Sequence, residues 1–426
     1  MLGFRERTGI VVLPSEILLE IFRIISDQEE LEGLQSLSVS VSRLSAVCTR
    51  FRDIIHSNTI FWNRISASMH PDRVDACLER SRGNRLFIID VQADTREDGP
   101  RGAEESSRFR SQVLPHHRRW GGLCLRYTGC DENELGAATE KFQGLCLPNL
   151  MELTILIEEA KDDDTPDSKV HMYKTWDAPL LREFLFLNII PQALHNIRLE
   201  SLTITIDIYD WRRPRDALAT LMACLASQPS LKRFSFNMIG FPKETGHLVL
   251  SRVTLPHLRE LELGIEDSYE QHGLPYGRDD SGTSFAVPQI LARLVTPTLE
   301  SLQISFVITV EQSLTFDLTA ILPSFNDYTN LKRLLVHISC TPELQDSYRF
   351  LTLPFKAIHS RMAGLNELQT SVHGARWIVD IPTNYCVKKL RELFKLPCAC
   401  AKGSQDTICY VCNRLRWSGT MQVTLD

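Results

Sequence analysis

Large apolar residues recur along this chain on two different periods. Over the first seventy residues they return every three or four positions, the spacing of a helix face. In "VVLPSEILLEIF" (11–22), Pro14 suits a first helical turn, where its missing N–H would be unpaired anyway. Glu16 lies near the positive end of the helix dipole. Ile17, Leu18, Ile21, Ile24 and Ile25 fall on one stripe, with Leu19 and Phe22 off it. The helix is therefore apolar on more than the side its own core can use, and the surplus predicts a partner. "SDQEELEGLQ" reads as a loop or short added turn. Beyond it, Leu37, Val41, Leu44, Val47, Phe51 and Ile54 recur at helical spacing, over a local serine–valine alternation. Asn58 breaks that helix, and Phe61, Trp62 and Ile65 supply a last aromatic anchor. Three short helices of this size bury little apolar surface alone.

Past residue 70 the pattern becomes L-x-x-L-x-L, with large apolar residues allowed. It opens at Trp120, Leu150, Leu181, Leu199, Leu231, Leu258, Leu299 and Leu331, with a weaker copy at Leu365. An earlier helix, "DRVDACLERSRGN", and strand, "RLFIIDV", form a candidate first unit. Pro148, Pro179, Pro229, Pro256 and Pro297 each stand two residues before a copy, where proline ends a preceding helix. "RDALATLMACLASQPS" is the clearest intervening helix, with Leu218, Leu221, Met222 and Leu225 on one face. Strand and helix in alternation, no unit able to bury its apolar face alone, predicts a leucine-rich-repeat solenoid. The copies stand 18 to 41 residues apart, so the array is irregular. Charged or polar stretches at 92–110, 158–169 and 266–284 read as solvated insertions.

In each predicted strand the leucines point inward, and the residues between and after them face the other side. Glu260 and Glu262, Arg233 and Ser235, and Ser301 and Gln303 make that face polar. Leu156, Leu185 and Leu187, flanked by Glu152 and Glu183, are the exception. They predict an apolar substrate-binding patch or, alternatively, a surface covered by loop 158–169.

"LPSEILLEIF", "VCTRFRDII" and "FWNRI" together resemble the F-box, a three-helix module that docks the Skp adaptor of cullin–RING ubiquitin ligases. The resemblance implies adaptor contacts at Leu13, Pro14, Glu16, Ile17, Leu18, Phe22, Val47, Cys48, Phe51 and Trp62. Phe51 stands where the family usually has tryptophan, and the segment before "VC" is longer than usual. The whole chain is similar to fungal F-box proteins whose F-box runs straight into irregular leucine-rich repeats, over residues 11 to about 371. The implied fold is α/β: an F-box helical module at 1–70, a curved parallel sheet backed by helices at 71–395, and a cysteine-rich tail at 396–426. The implied role is substrate receptor of an SCF-type ligase, with an unknown protein substrate and catalysis left to other subunits. The alternative is a repeat scaffold whose F-box-like cap serves assembly without ubiquitin transfer.

Composition narrows the classes. The net charge of −6 gives no support for a nucleic-acid footprint. No apolar run approaches bilayer length, and "MLGFRERTGIVV" lacks the apolar core of a signal peptide. Of twelve cysteines, eight are scattered, which suits reduced thiols and a cytoplasmic or nuclear protein. No G-x-S-x-G elbow, Walker loop, H-E-x-x-H or glycine-rich dinucleotide turn is present, so the sequence predicts binding rather than catalysis. No cofactor is expected beyond zinc at the remaining four cysteines, Cys398, Cys400, Cys409 and Cys412. Two close pairs joined by a polar loop suit a closed thiolate tetrahedron, although one residue rather than two to four separates the first pair. Free thiols in a terminal cap are the other reading. If the four bind zinc, protein purified in reducing buffer carries about one equivalent, lost on chelation. Metal-free protein by elemental analysis decides for free thiols.

Overall fold

The structure, a computed structural model, describes residues 10–32, 37–92, 100–130, 132–158, 171–192, 194, 197–207, 214–239, 250–267, 290–308, 330–340, 350–353, 367–373, 376–380 and 420–423. The four tail cysteines, the stretch 159–170 and most of 266–284 lie outside the described residues. The chain divides into two compact units, Met1–Lys161 with Thr175–Leu181, and Asp162–Lys174 with Arg182–Asp426.

The first unit opens with α1 (Ser15–Glu32), α2 (Leu37–Val47) and α3 (Thr49–Ser57). Helix α1 is longer than the apolar pattern implies: "SDQEELE" continues it, because glutamate and glutamine are good helix formers even without a buried face. The helix expected across 37–54 is instead two. Cys48 is extended (φ −159, ψ 168) at the N-cap of α3 and separates it from α2. Next come β1 (Arg64–Ser66), α4 (Pro71–Arg80), β2 (Leu86–Gln92), α5 (Pro100–Val113), β3 (Trp120–Thr128), α6 (Glu132–Glu140) and β4 (Glu152–Glu158). The four strands pair in parallel, in chain order. Parallel neighbours need a crossover, and α4 and α5 belong to two of them.

Over 100–110, helix α5 overturns the reading of 92–110 as a solvated insertion; 93–99 lie outside the described residues. Its charge hides an inward face: Phe109 and Val113, four residues apart, are buried, and so is Arg110. The Arg110 Nε donates to Asp90 Oδ2 on β2 at 2.6 Å, with both side chains nearly sealed from solvent. The guanidinium also stands 5.7 Å from the Phe142 ring centre. Burial pushes the Asp90 carboxyl above the usual carboxylate range, and the Arg110 charge opposes that shift.

The second unit holds β5 (Glu183–Leu187), β6 (Ser201–Asp207), α7 (Pro214–Ala226), β7 (Arg233–Ile239), the short β8 (Val253–Thr254), β9 (Glu260–Asp267), the short β10 (Leu294–Val295), β11 (Ser301–Ile308) and β12 (Arg333–Cys340). It ends with β13 (Phe350–Leu353), β14 (Glu367–His373), β15 (Arg376–Asp380) and β16 (Thr420–Val423). Strands β5, β6, β7, β9, β11, β12 and β14 make one all-parallel run without a register slip. The pair β8–β10 is parallel, while β13 and β15 run parallel and β16 returns antiparallel to β15. Every copy of the L-x-x-L-x-L phrase therefore carries a strand. The predicted face of α7 is inward, with Leu218, Leu221, Met222 and Leu225 buried. Gln228 beyond it is fully buried: its Nε2 donates to the Leu194 carbonyl at 2.7 Å, and its Oε1 accepts from the Leu199 N–H at 3.0 Å.

The expectation that the recurring prolines end helices does not hold throughout: Pro256 and Pro297 follow the short strands β8 and β10. What the five prolines share is a turn. Each is the second residue of a turn in which the first leucine of the phrase donates its N–H three residues back: Leu150 to Leu147, Leu181 to Ala178, Leu231 to Gln228, Leu258 to Leu255 and Leu299 to Thr296. Proline presets φ for that position. The five leucines are buried at 0 or 1 % exposure, so turn and anchor arrive together.

Removing Arg110 leaves the Asp90 carboxylate buried and unpaired, which costs on the order of 3 kcal/mol. In Arg110→Met, hydrogen exchange followed by mass spectrometry should show faster exchange through α5 and β2 at pH 7. The raised Asp90 pKa sets the sign: lowering the pH lets the carboxyl take a proton, so the excess exchange, corrected for intrinsic rates, shrinks on acidification. An unchanged α5 would mean that the ion pair contributes nothing to holding it.

Candidate functional site

The helical module of the first unit is built around α1, and the structure corrects which side of α1 faces in. Leu18 and Phe22 are fully buried, whereas Ile17 is 50 % and Ile24 49 % exposed. Phe22, expected among the surplus, packs edge-on against Phe51 of α3, with ring centres 4.8 Å apart. An aromatic pair of this geometry is worth about 1 kcal/mol beyond its buried area, and it decides the rotation of α1. Val41, Phe51, Ile54, Ile55 and Trp62 complete the interior.

Trp62 is held on several sides. Its Nε1 donates to the Ile55 carbonyl at 2.9 Å, the His56 ring meets it edge-on at 5.5 Å, and the Arg80 guanidinium lies 4.4 Å from its ring centre. Burial, with Arg80 and then Arg52 nearby, lowers the His56 pKa, so the imidazole is neutral at pH 7. Asn58 caps α3, its Nδ2 donating to the Ile54 carbonyl at 2.6 Å. Arg50 at the start of α3 ties down the beginning of α1. Its Nη2 donates to the Leu13 carbonyl at 2.6 Å and to the Ser15 hydroxyl at 3.3 Å.

The ten residues predicted to meet an adaptor therefore separate by exposure. Leu18, Phe22, Phe51 and Trp62 are interior and shape the module. Pro14, Glu16 and Ile17 are exposed, and Leu13 and Cys48 are half-buried. Val47 is 61 % exposed at the end of α2. Ile10 and Val12, in a turn of 3-10 helix before α1, are 49 % and 54 % exposed, and Ile60 is 46 % exposed. Sequence reasoning missed Ile10, Val12 and Ile60 and assigned Ile24 inward. A helix apolar nearly all round gives no phase, although choosing Leu18 and Phe22, four apart, as the inward pair would have turned Ile17 and Ile24 outward. Arg50 had no signal, because its partner is a backbone carbonyl 37 residues away.

The residues predicted to meet a substrate fall in both units. Glu152 is exposed and Leu156 half-buried on β4 of the first. On β5 of the second, Glu183 and Leu185 are exposed, Leu185 by 39 %, and Leu187 is half-buried. The Glu183 Oε1 accepts from Arg233 Nη2 at 3.2 Å. The polar face predicted beyond β5 is present: Glu262 Oε2 accepts from the Ser235 hydroxyl at 3.0 Å, and its Oε1 accepts from Gln303 Nε2 at 2.9 Å. Arg233 and Glu260 stand exposed in register with each other. Among the described residues, no group of three or more His, Cys, Asp or Glu is placed to hold a metal ion. No helix there is long and apolar enough to cross a membrane.

Comparison with curated proteins finds no match to the chain. The F-box-like family model matches residues 10–68, which span α1, α2, α3 and β1, so the chain carries an F-box-like domain there.

Proposed function

We propose that this chain is the substrate-receptor subunit of an SCF-type ubiquitin ligase. In this reading residues 10–68 seat a Skp adaptor, and through it a cullin–RING ligase. The parallel strands that follow are an irregular leucine-rich-repeat array presenting the protein to be ubiquitylated. Domains at 1–70, 71–395 and 396–426 correspond to adaptor docking, substrate capture and the cysteine tail. Ubiquitin transfer belongs to the ligase's other subunits, and the chain works in the cytoplasm, the nucleus or both.

The observation that carries the reading is the apolar surface left in water on the F-box-like domain. Val12, Ile17, Ile24 and Val47 are each about half exposed or more. The hydrogen bonds from Arg50 bring the start of α3, beside Val47, to the start of α1. Exposed apolar area collected in this way marks a protein-binding surface. The repeat reading is supported by the same phrase, turn and buried leucine recurring before β4, β5, β7, β9 and β11.

Ile17→Asp combined with Val47→Asp places two charges on that surface without touching the Leu18, Phe22 and Phe51 interior. Affinity purification of the double variant should lose the Skp adaptor and cullin by about tenfold or more, as for charges placed at an interface centre. Undiminished adaptor recovery, with the variant as protease-resistant as the parent, would exclude this docking surface.

The second arm of the proposal puts substrate on the outward rows of single strands: Leu185 and Leu187 with Glu183 on β5, and Leu156 with Glu152 on β4. Leu185→Asp with Leu187→Asp should strip proteins captured by the parent chain from the purification while the adaptor stays. Equal capture by both chains places the substrate elsewhere on the repeats.

A further inference from the structure

At one end of the first unit's sheet, where the chain runs into β2 and β3, arginines gather. Arg82 and Arg85 lie between α4 and β2, and Arg118 and Arg119 close the turn before β3. Arg119 stitches the two segments together. Its Nη2 donates to the Ser81 hydroxyl at 2.6 Å, its Nε to the Asn84 carbonyl at 3.3 Å and its Nη1 to the Leu78 carbonyl at 3.4 Å. All three acceptors are neutral. The Arg85 side chain lies along Gly121, where an added Cβ would stand 3.1 Å from Arg85 Cβ. The Arg118 carbonyl accepts from Asn149 Nδ2 at 2.8 Å, which fixes that segment against the approach to β4.

Arg82, Arg85 and Arg118 are exposed. Among the described residues, none of the four arginines forms an ion pair with a carboxylate, unlike Arg110, Arg126, Arg182 and Arg233. His116 beside them has a lowered pKa, from partial burial and then from the Arg119 charge. Arg82 also sits at φ 46, a left-handed conformation that glycine adopts more readily than arginine. The result is a positive cluster, one member partly desolvated, on a chain whose net charge is −6.

We propose that this end of the first unit docks a carboxylate-rich segment of a partner protein. Guanidinium forks match carboxylates two bonds at a time. The three exposed arginines are spread over two segments; Arg85 Nη1 donates to Met151 Sδ at 3.1 Å, and none of the three pairs with a carboxylate among the described residues, which suits a run of acidic side chains along an extended peptide. A nucleic acid is disfavoured because base stacking needs an open aromatic face. Trp120 is fully buried, while Phe87 is half-buried, with the Arg64 guanidinium 5.4 Å from its ring centre and Gly122 close against its ring. The surface lies outside residues 10–68 and operates whether or not that domain docks an adaptor.

Fluorescence anisotropy of labelled decaglutamate against the full chain tests this. Saturable binding is expected at about 25 mM NaCl, weakening at least about tenfold by about 300 mM as screening shortens. The variant Arg82→Glu, Arg85→Glu, Arg118→Glu should lose at least about tenfold in affinity. A control with the same charge change, Arg252→Glu, Arg259→Glu, Arg293→Glu, should keep nearly all of it. Adaptor recovery reports separately on the F-box-like domain, and protease resistance on folding of the triple variant. Absence of saturable binding at low salt, equal loss in both triple variants, or tighter binding of a single-stranded RNA decamer than of decaglutamate would each overturn the proposal.

Discussion

One carbonyl at the approach to each strand organises the second unit. The Arg182 carbonyl accepts the N–H groups of both Glu200 and Ser201, at 2.8 and 3.0 Å. The Glu200 carbonyl takes those of Lys232 and Arg233, and Lys232 takes Arg259 and Glu260 in turn. Arg259 then receives Glu300 and Ser301, and Glu300 receives Lys332 and Arg333. Each shared acceptor joins one strand to the next before the ladder begins. It fixes which residue stands opposite which, and because side chains alternate, a slip of one would turn every leucine outward. The buried leucines, the polar outer rows and the face offered to partners all follow from that registration.

The side chains just outside the shared carbonyls follow the same geometry. Glu200 accepts from Arg182 at 3.2 Å and from Lys232 at 2.8 Å, and Glu300 accepts from Lys332 at 2.9 Å. Lys232, followed by Arg182, holds the Glu200 carboxyl below its usual range, and Lys332 does the same for Glu300. These exposed pairs contribute little to stability. The first unit takes the opposite course with Asp90 and Arg110, whose pairing is sealed inside and fastens α5 to β2.

The strands were legible in the sequence because their signal repeats. Phe234 and Phe236, or Leu302 and Ile304, alternate with polar neighbours, and a proline turn announces β4, β5, β7, β9 and β11. Helix α7 was legible from Leu218, Leu221, Met222 and Leu225 for the same reason. Helix α5 was hidden because Arg110 looks like a surface residue until Asp90 is found against it, 20 residues away in sequence. The F-box-like helices were legible as a family pattern, but the rotation of α1 was not. It depends on the contact between Phe22 and Phe51, and no period within α1 encodes a partner on α3. The break at Cys48 is equally local, a single extended residue within continuous apolar spacing.

The shared carbonyls stand where β6, β7, β9, β11 and β12 begin. Spacing between copies of the phrase runs from 18 to 41 residues, yet the paired strands keep unbroken register from β5 through β14. Connection length is thereby uncoupled from alignment. Segments between strands are free to grow or shrink at small entropic cost, since loop closure depends only logarithmically on length. The outward row from Glu183 through Arg233 and Glu260 to Arg333 keeps its order whatever the connections do. Such an array can change what decorates its margins while the face it shows to other molecules stays fixed.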